Sequence, residues 1–183
     1  MSDPAQTERF AALIDSQRTG AAGGPGGAPP GRGKLIGMIG LAAAAILVPT
    51  VARWEGKSND PYRDIVGVMT VCNGETRVAM RRYSDAECSA MLSDGLADFA
   101  APVLRRNPTL RDRPNQLAAA VSLAYNIGSG AYARSTVARH FSAGRWRQGC
   151  DAFLRWNRAG GRVVNGLTRR REAERQICLK GLT

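Results

Sequence analysis

The chain is poor in the residues that build metal centres and stacking platforms. It carries a single histidine, His140, and its four cysteines, Cys72, Cys88, Cys150 and Cys178, include no C-x-x-C pair. A Cys/His zinc site is therefore not expected, and no metal or organic cofactor is assigned. Aromatic residues make up only 6% of the sequence. They form no base-stacking motif, and with no zinc-finger spacing either, nucleic acid is not the expected partner. Acidic residues are also scarce: 15 Asp and Glu stand against 26 Lys and Arg, a formal net charge of +11. There is no internal repeat.

What is present divides the chain into three stretches. Residues 1–34 include Gly-Ala-Ala-Gly-Gly-Pro-Gly-Gly-Ala-Pro-Pro-Gly from Gly20 to Gly31. Such a segment buries almost no apolar surface, so a disordered tail is expected. In it Arg9, Arg18, Arg32 and Lys34 nearly balance Asp3, Glu8 and Asp15, so almost all the positive charge falls on the remainder. A basic globule suits a polyanion such as nucleic acid, anionic lipid or cell wall, and charge alone does not choose among them.

The second stretch, residues 35–52, is an uncharged run between Lys34 and Arg53. Its length sits at the lower edge of what spans a bilayer. Half of it is Ala, Gly, Pro and Thr, so its hold on lipid should be weak. Three readings stay open. The favoured one is an uncleaved signal-anchor that can later leave the membrane. The others are a cleaved signal peptide and the first core helix of a globule. Basic residues flank the run on both sides, so flanking charge barely sets its orientation.

Residues 53–183 form the third stretch, long enough for one domain with a real core. Gly56 is placed to end the first helix in a left-handed cap. Alternation around Asp64 to Cys72, with turns near Gly67 and Asn73-Gly74, reads as a short antiparallel sheet. Ser84-Asp85-Ala86-Glu87 is a capping box opening a helix to about Leu104. Further helices are expected over Asn115–Ile127, Ser135–Ser142, Trp146–Trp156 and Thr168–Lys180. Breaks fall at Gly128-Ser129-Gly130 and Gly160-Gly161. The fold class is α+β, mostly helical, with a small antiparallel sheet near the front. An even cysteine count favours two disulfides and an oxidising compartment over four buried thiols. The simplest of the three pairings is Cys72–Cys88 with Cys150–Cys178.

The most informative spacing follows the apolar run. Glu55 is separated from Asp64 by eight residues, and Asp64 from Thr70 by five. A helix end and a hairpin would then deliver a carboxylic acid, a second carboxylate and a hydroxyl. Glycosidic hydrolysis needs two such carboxyl groups facing each other across a sugar. Glu55, at the negative end of its helix and beside Trp54, is expected to favour the protonated form a general acid requires. Asp64 would stay ionised and orient a water, with Thr70 helping to hold it. The bland alternative is two solvated surface carboxylates.

Three motifs in order tip that balance. The stretch Trp54 to Gly74, the run Ala124-Tyr125-Asn126-Ile127-Gly128-Ser129-Gly130-Ala131, and Ala159-Gly160-Gly161 with Gly166 to Glu174 together resemble the phage-type lysozymes. The likeness covers about residues 46–181. It implies a lysozyme-like fold and a Glu–Asp–Thr triad at Glu55, Asp64 and Thr70. It also implies cleavage of the β-1,4 bond between N-acetylmuramic acid and N-acetylglucosamine, with inversion. Inversion would separate the carboxyl groups by roughly 6.5–9.5 Å. The same likeness places Asn126 in the sugar cleft and brings an arginine of Arg169–Arg171, taken as Arg170, toward Glu55. Many relatives carry a histidine in the turn after the Thr. Here Val71-Cys72-Asn73-Gly74-Glu75 stands instead, and nothing is assigned to it.

The cysteine-bearing form is similar to the signal-anchor-release endolysins. That subgroup implies an enzyme acting on peptidoglycan, tethered through residues 35–52 to the host inner membrane and then freed into the periplasm; the expected disulfides add weight to a C-terminus outside, and a monomer is expected. The anchor has no cysteine, so disulfide exchange with it is not expected. The enzymatic rival is a lytic transglycosylase, which needs Glu55 but not a water held by Asp64. The rival from another class is a non-catalytic, basic wall-binding module. His140 reads as a surface or half-buried helix residue. Trp146, Phe153 and Trp156 read as core, and Asp60 and Glu75 as bystanders.

Overall fold

The computed structural model describes residues 33–64 and 67–182. The expected tail therefore lies outside the described residues, except for Gly33 and Lys34. Helix α1 runs Gly33–Glu55 and is interrupted at Gly40, whose backbone (φ 79°, ψ 159°) is not helical. The apolar run buries one stripe, Leu35, Ile39, Ala43, Ala44, Leu47 and Val51, at the i, i+4 spacing of one helix face. This stripe packs on α2 and α3. The opposite face stays open, with Leu41 69% exposed. The helix is also long and apolar enough to cross a membrane, with a mean hydropathy of 2.3 over its best window.

Two short strands follow, β1 (Ser58–Arg63) and β2 (Met69–Cys72), paired antiparallel with Tyr62 opposite Thr70 and Arg63 opposite Met69. Asp64 was expected on a strand; it opens the turn instead. Its carboxylate accepts the Val68 N–H at 2.9 Å, and its backbone N–H donates to the Val68 carbonyl at 3.0 Å. An Asp side chain that bonds backbone a few residues ahead favours a turn over a ladder.

Helix α2 spans Asp85–Arg106 and opens on the Ser84/Glu87 capping box. The Arg81 guanidinium, then the Ser84 N–H and hydroxyl, pull the Glu87 carboxyl down to about 2. A 3₁₀ turn (Pro108–Asp112) leads to α3 (Pro114–Ile127), which is buried continuously from Gln116 to Asn126. The break expected at Gly128-Ser129-Gly130 is narrower than that. Only Gly128 leaves the helix (φ 87°), and Ser129–Arg134 forms a short α4. Helix α5 (Thr136–Ser142) is capped by the Ser135 hydroxyl. The helix expected over Trp146–Trp156 is α6 (Trp146–Asp151) followed by a 3₁₀ turn, Ala152–Arg155.

At Gly160-Gly161 the chain makes a small hairpin, β3 (Arg158–Ala159) with β4 (Arg162–Val163). Helix α7 (Asn165–Leu179) begins three residues earlier than expected. Disulfides join Cys72 to Cys88 and Cys150 to Cys178. The first fastens β2 to the start of α2, and the second fastens α6 to α7. Gln116 on α3 donates to the Cys178 carbonyl, so the end of α7 is also stitched to the central helix. Phe153 is fully buried, with Trp146 and Trp156 packed partly buried around the same core. His140 is half-buried and accepts from Arg145 at Nδ1.

Candidate active site

Glu55 is the last residue of α1, and Gly56 (φ 72°) turns the chain out of the helix in the left-handed region that suits glycine. The Asn73 side chain, from the turn after β2, donates to the Gly56 carbonyl at 2.6 Å. The end of the first helix and the front hairpin are therefore fastened directly to each other.

On the hairpin, Thr70 is 3% exposed and donates through its hydroxyl to the Val68 carbonyl at 3.0 Å. Val68 in turn donates its N–H to Asp64. Asp64 and Thr70 thus share one residue's backbone, which holds a carboxylate and a hydroxyl at one end of the hairpin. Tyr62, opposite Thr70, belongs to the same group. Partial burial pushes its phenol above its ordinary pKa, and the negative charge of Asp64 adds to that. Arg63 donates to the Gly67 carbonyl at 2.9 Å and steadies the same turn.

Behind Glu55 lies α7. Arg170 donates from Nη1 to Glu55 Oε1 at 2.9 Å, with side-chain exposures of 6% and 13%. Arg170 also reaches Glu174 at 3.3 Å, Arg171 lies 2.9 Å from Glu174, and Ser122 on α3 donates to Glu174 at 2.6 Å. Burial alone would lower the pKa of Arg170, but Glu55 and Glu174 outweigh it and hold that pKa above the usual value. For Arg171 burial wins: its guanidinium falls to about 10, with Glu174 opposing and Arg170 reinforcing the fall.

The remaining expected residues place as follows. Asn126 is buried at the end of α3, next to Tyr125, which lines a shallow crevice with Cys72, Asn73, Glu75 and Met91. Lys57 pairs with Asp85 at 2.6 Å, and Asp60 pairs with Arg82. Glu75 accepts the backbone N–H groups of Thr76 and Arg77. Among the described residues no group of three or more His, Cys, Asp or Glu side chains is arranged to hold a metal. Sequence reasoning did not single out Asn73, Tyr62, Ser122 or Glu174. The spacing of Arg170 and Glu174, one helical turn apart, was the one available signal for the last of these.

The model of the family described as phage lysozyme matches residues 52–174. The chain belongs to the phage lysozyme family. Its relatives include the SAR-endolysin of Enterobacteria phage P21, 41% identical over 79% of this chain and 90% of that protein. The SAR-endolysin of Pseudomonas phage phiKMV is 35% identical over 78% of this chain and 91% of its own. Among solved structures, the endolysin from Escherichia coli O157:H7 phage FAHEc1 superposes with a TM-score of 0.65. It is 28% identical and covers 75% of this chain and 92% of that one. The expected lysozyme-like α+β fold and the endolysin class of enzyme are both supported by this membership, and a non-catalytic module is not.

Proposed function

We propose that this lysozyme hydrolyses the β-1,4 bond between N-acetylmuramic acid and N-acetylglucosamine in peptidoglycan, with Glu55 as general acid and Asp64 as the base that activates water. Thr70, on β2, holds that water. The arrangement of the helix end against the hairpin carries this reading. Glu55 ends a helix that buries one face, Asn73 fastens that end to the hairpin, and the Val68 backbone holds Asp64 and Thr70 together. Glu55 delivers its proton to the leaving oxygen, while water attacks the other sugar face with help from Asp64. A direct displacement of this kind inverts the anomeric centre. Asn126 and Arg170 are assigned to substrate binding, and neither is asked to form a covalent intermediate.

The same reading assigns residues 1–34 to a tail, residues 35–52 to a releasable anchor, and residues 53–183 to the enzyme. While α1 lies in lipid, its buried stripe cannot pack on α2 and α3. Glu55, three residues beyond Ala52, is then held at the membrane surface of the host and away from the hairpin. Release into the periplasm docks α1 and completes the site. Agreement between an N-terminal apolar helix and SAR-endolysin relatives supports this order of events.

The test is wall clearing by purified Glu55→Gln and Asp64→Ala. Each should lose at least 100-fold in rate, the lower range for a positioned acid or base, and keep the parent's circular dichroism. Near-normal clearing by Glu55→Gln would overturn the assignment. Product analysis separates hydrolysis from transglycosylation: a reducing sugar end supports the proposal, and a 1,6-anhydro end refutes the water-activating role of Asp64.

A further inference from the structure

We infer that Glu174 is a positioning residue that sets how much of the Arg170 charge reaches Glu55, and so sets the pH at which the general acid works. The inference deepens the reading of Glu55 above and rests on it. Four charged side chains and one hydroxyl form a continuous chain, fully buried at Glu174 and half-buried at Glu55. Ser122 donates to Glu174, Glu174 faces both Arg170 and Arg171, and Arg170 donates to Glu55. Glu174 and Arg171 are fully buried, and Arg170 is 5% exposed. In so dry a setting charges are screened little, and each depends on the others for compensation.

The charge count explains the arrangement. A lone Arg170 beside Glu55 would hold it as a carboxylate, which is the wrong form for an acid. Glu174 draws on the same guanidinium from the other side and weakens that hold. Arg171 acts in the opposite sense, by occupying part of Glu174. With Glu55 ionised the quartet of Arg170, Arg171, Glu174 and Glu55 is neutral, and protonating Glu55 leaves one net positive charge. Outside the quartet, the charged groups next to Glu55 along the chain are Arg53 on its own helix and Lys57, which is paired with Asp85, while the hairpin that Asn73 fastens to this helix end carries Arg63, Asp64 and Glu75. None of them is held by Glu174.

Removing Glu174's charge therefore pushes Glu55 toward its ionised form, and removing Arg171's charge pushes it back. The experiment is the pH profile of wall clearing for Glu174→Gln, Glu174→Asp and Arg171→Met, beside Glu55→Gln. In Glu174→Gln the high-pH limb should move down by about one unit, the low end of what a neighbouring charge does at a buried site. Glu174→Asp keeps the charge and should restore most of the limb. Arg171→Met should move it up. A limb position is a property of folded molecules, so it can be read even from a partly folded preparation. If Glu174→Gln yields no folded protein, Arg171→Met decides alone, since it removes a charge from a buried site and leaves Arg170 paired. Limbs that coincide with the parent's would overturn the inference while Glu55→Gln stays inactive. An active Glu55→Gln would instead sink the underlying role of Glu55.

Discussion

Asp94, on the middle of α2, keeps both carboxylate oxygens away from solvent with no hydrogen-bond partner among the described residues. Burial pushes its pKa up; Lys34 opposes the rise, and Asp98 adds to it. A carboxyl raised in the folded state stabilises only while protonated. Its contribution is complete below the ordinary value of 3.8 and disappears as pH rises through its higher folded value. At neutral pH it is a cost. Asp94→Asn should therefore melt at a higher temperature than the parent at pH 7, and the gap should close in acid. Thermal melts across pH check this, and a lower melting temperature at pH 7 would refute it. At this scale the sequence was legible where chemistry names the residue type. Glu55, Asp64, Thr70 and Arg170 follow from spacing and family likeness. Asp94 and Glu174 become special only through burial, and burial depends on which helices pack together.

The front hairpin is an element with almost no core of its own. Its buried apolar residues, Val71 and Cys72, cluster with Tyr83 and Cys88, apart from the large helical core. Its outer links include Asn59 to Tyr83, in both backbone and side chain, Asn59 to Asp85, Asp60 to Arg82, and Asn73 to Gly56. The Cys72–Cys88 bond is what joins β2, with Thr70 two residues earlier, to α2. On chain-entropy grounds a loop of this length contributes about 3 kcal/mol. Replacing both Cys72 and Cys88 with Ser should lower wall clearing at least tenfold and leave most of the helical circular dichroism intact. The same exchange at Cys150 and Cys178 acts within the large core and should lower the global melting temperature. Equal effects of the two exchanges on activity per folded molecule would argue against a separate front element. Element identity was legible from the sequence because capping boxes, glycines and periodicity are local. Boundaries were less so. Asp64 left its strand for a turn hydrogen bond, and α7 started early because the small hairpin before it, pairing Arg158–Ala159 with Arg162–Val163, is invisible to a periodicity of two over so few residues.

At the scale of the whole molecule, the proposed exchange of α1 between lipid and globule turns on Gly40. Docked on the globule, the helix breaks at Gly40 with φ 79° and ψ 159°, a conformation used almost only by glycine. A Cβ there would meet nothing within 4 Å, so the penalty for another residue is conformational and not steric. That penalty is about 1–3 kcal/mol in the docked form. Across a bilayer the reverse holds. A continuous helix satisfies its backbone internally, and alanine improves on glycine in a helix by about 1 kcal/mol. Both effects of Gly40→Ala point the same way, toward the membrane. Their sum should shift the balance between anchored and docked protein by at least tenfold in favour of lipid. The measurement is the partition between membrane and soluble fractions after expression, together with the time at which lysis begins. Gly40→Ala should remain with the membrane and lyse late, while the detergent-free soluble fraction keeps the parent's activity per molecule. A partition equal to the parent's would mean that the break at Gly40 plays no part in release, and the proposed exchange of α1 between lipid and globule would lose its structural hinge.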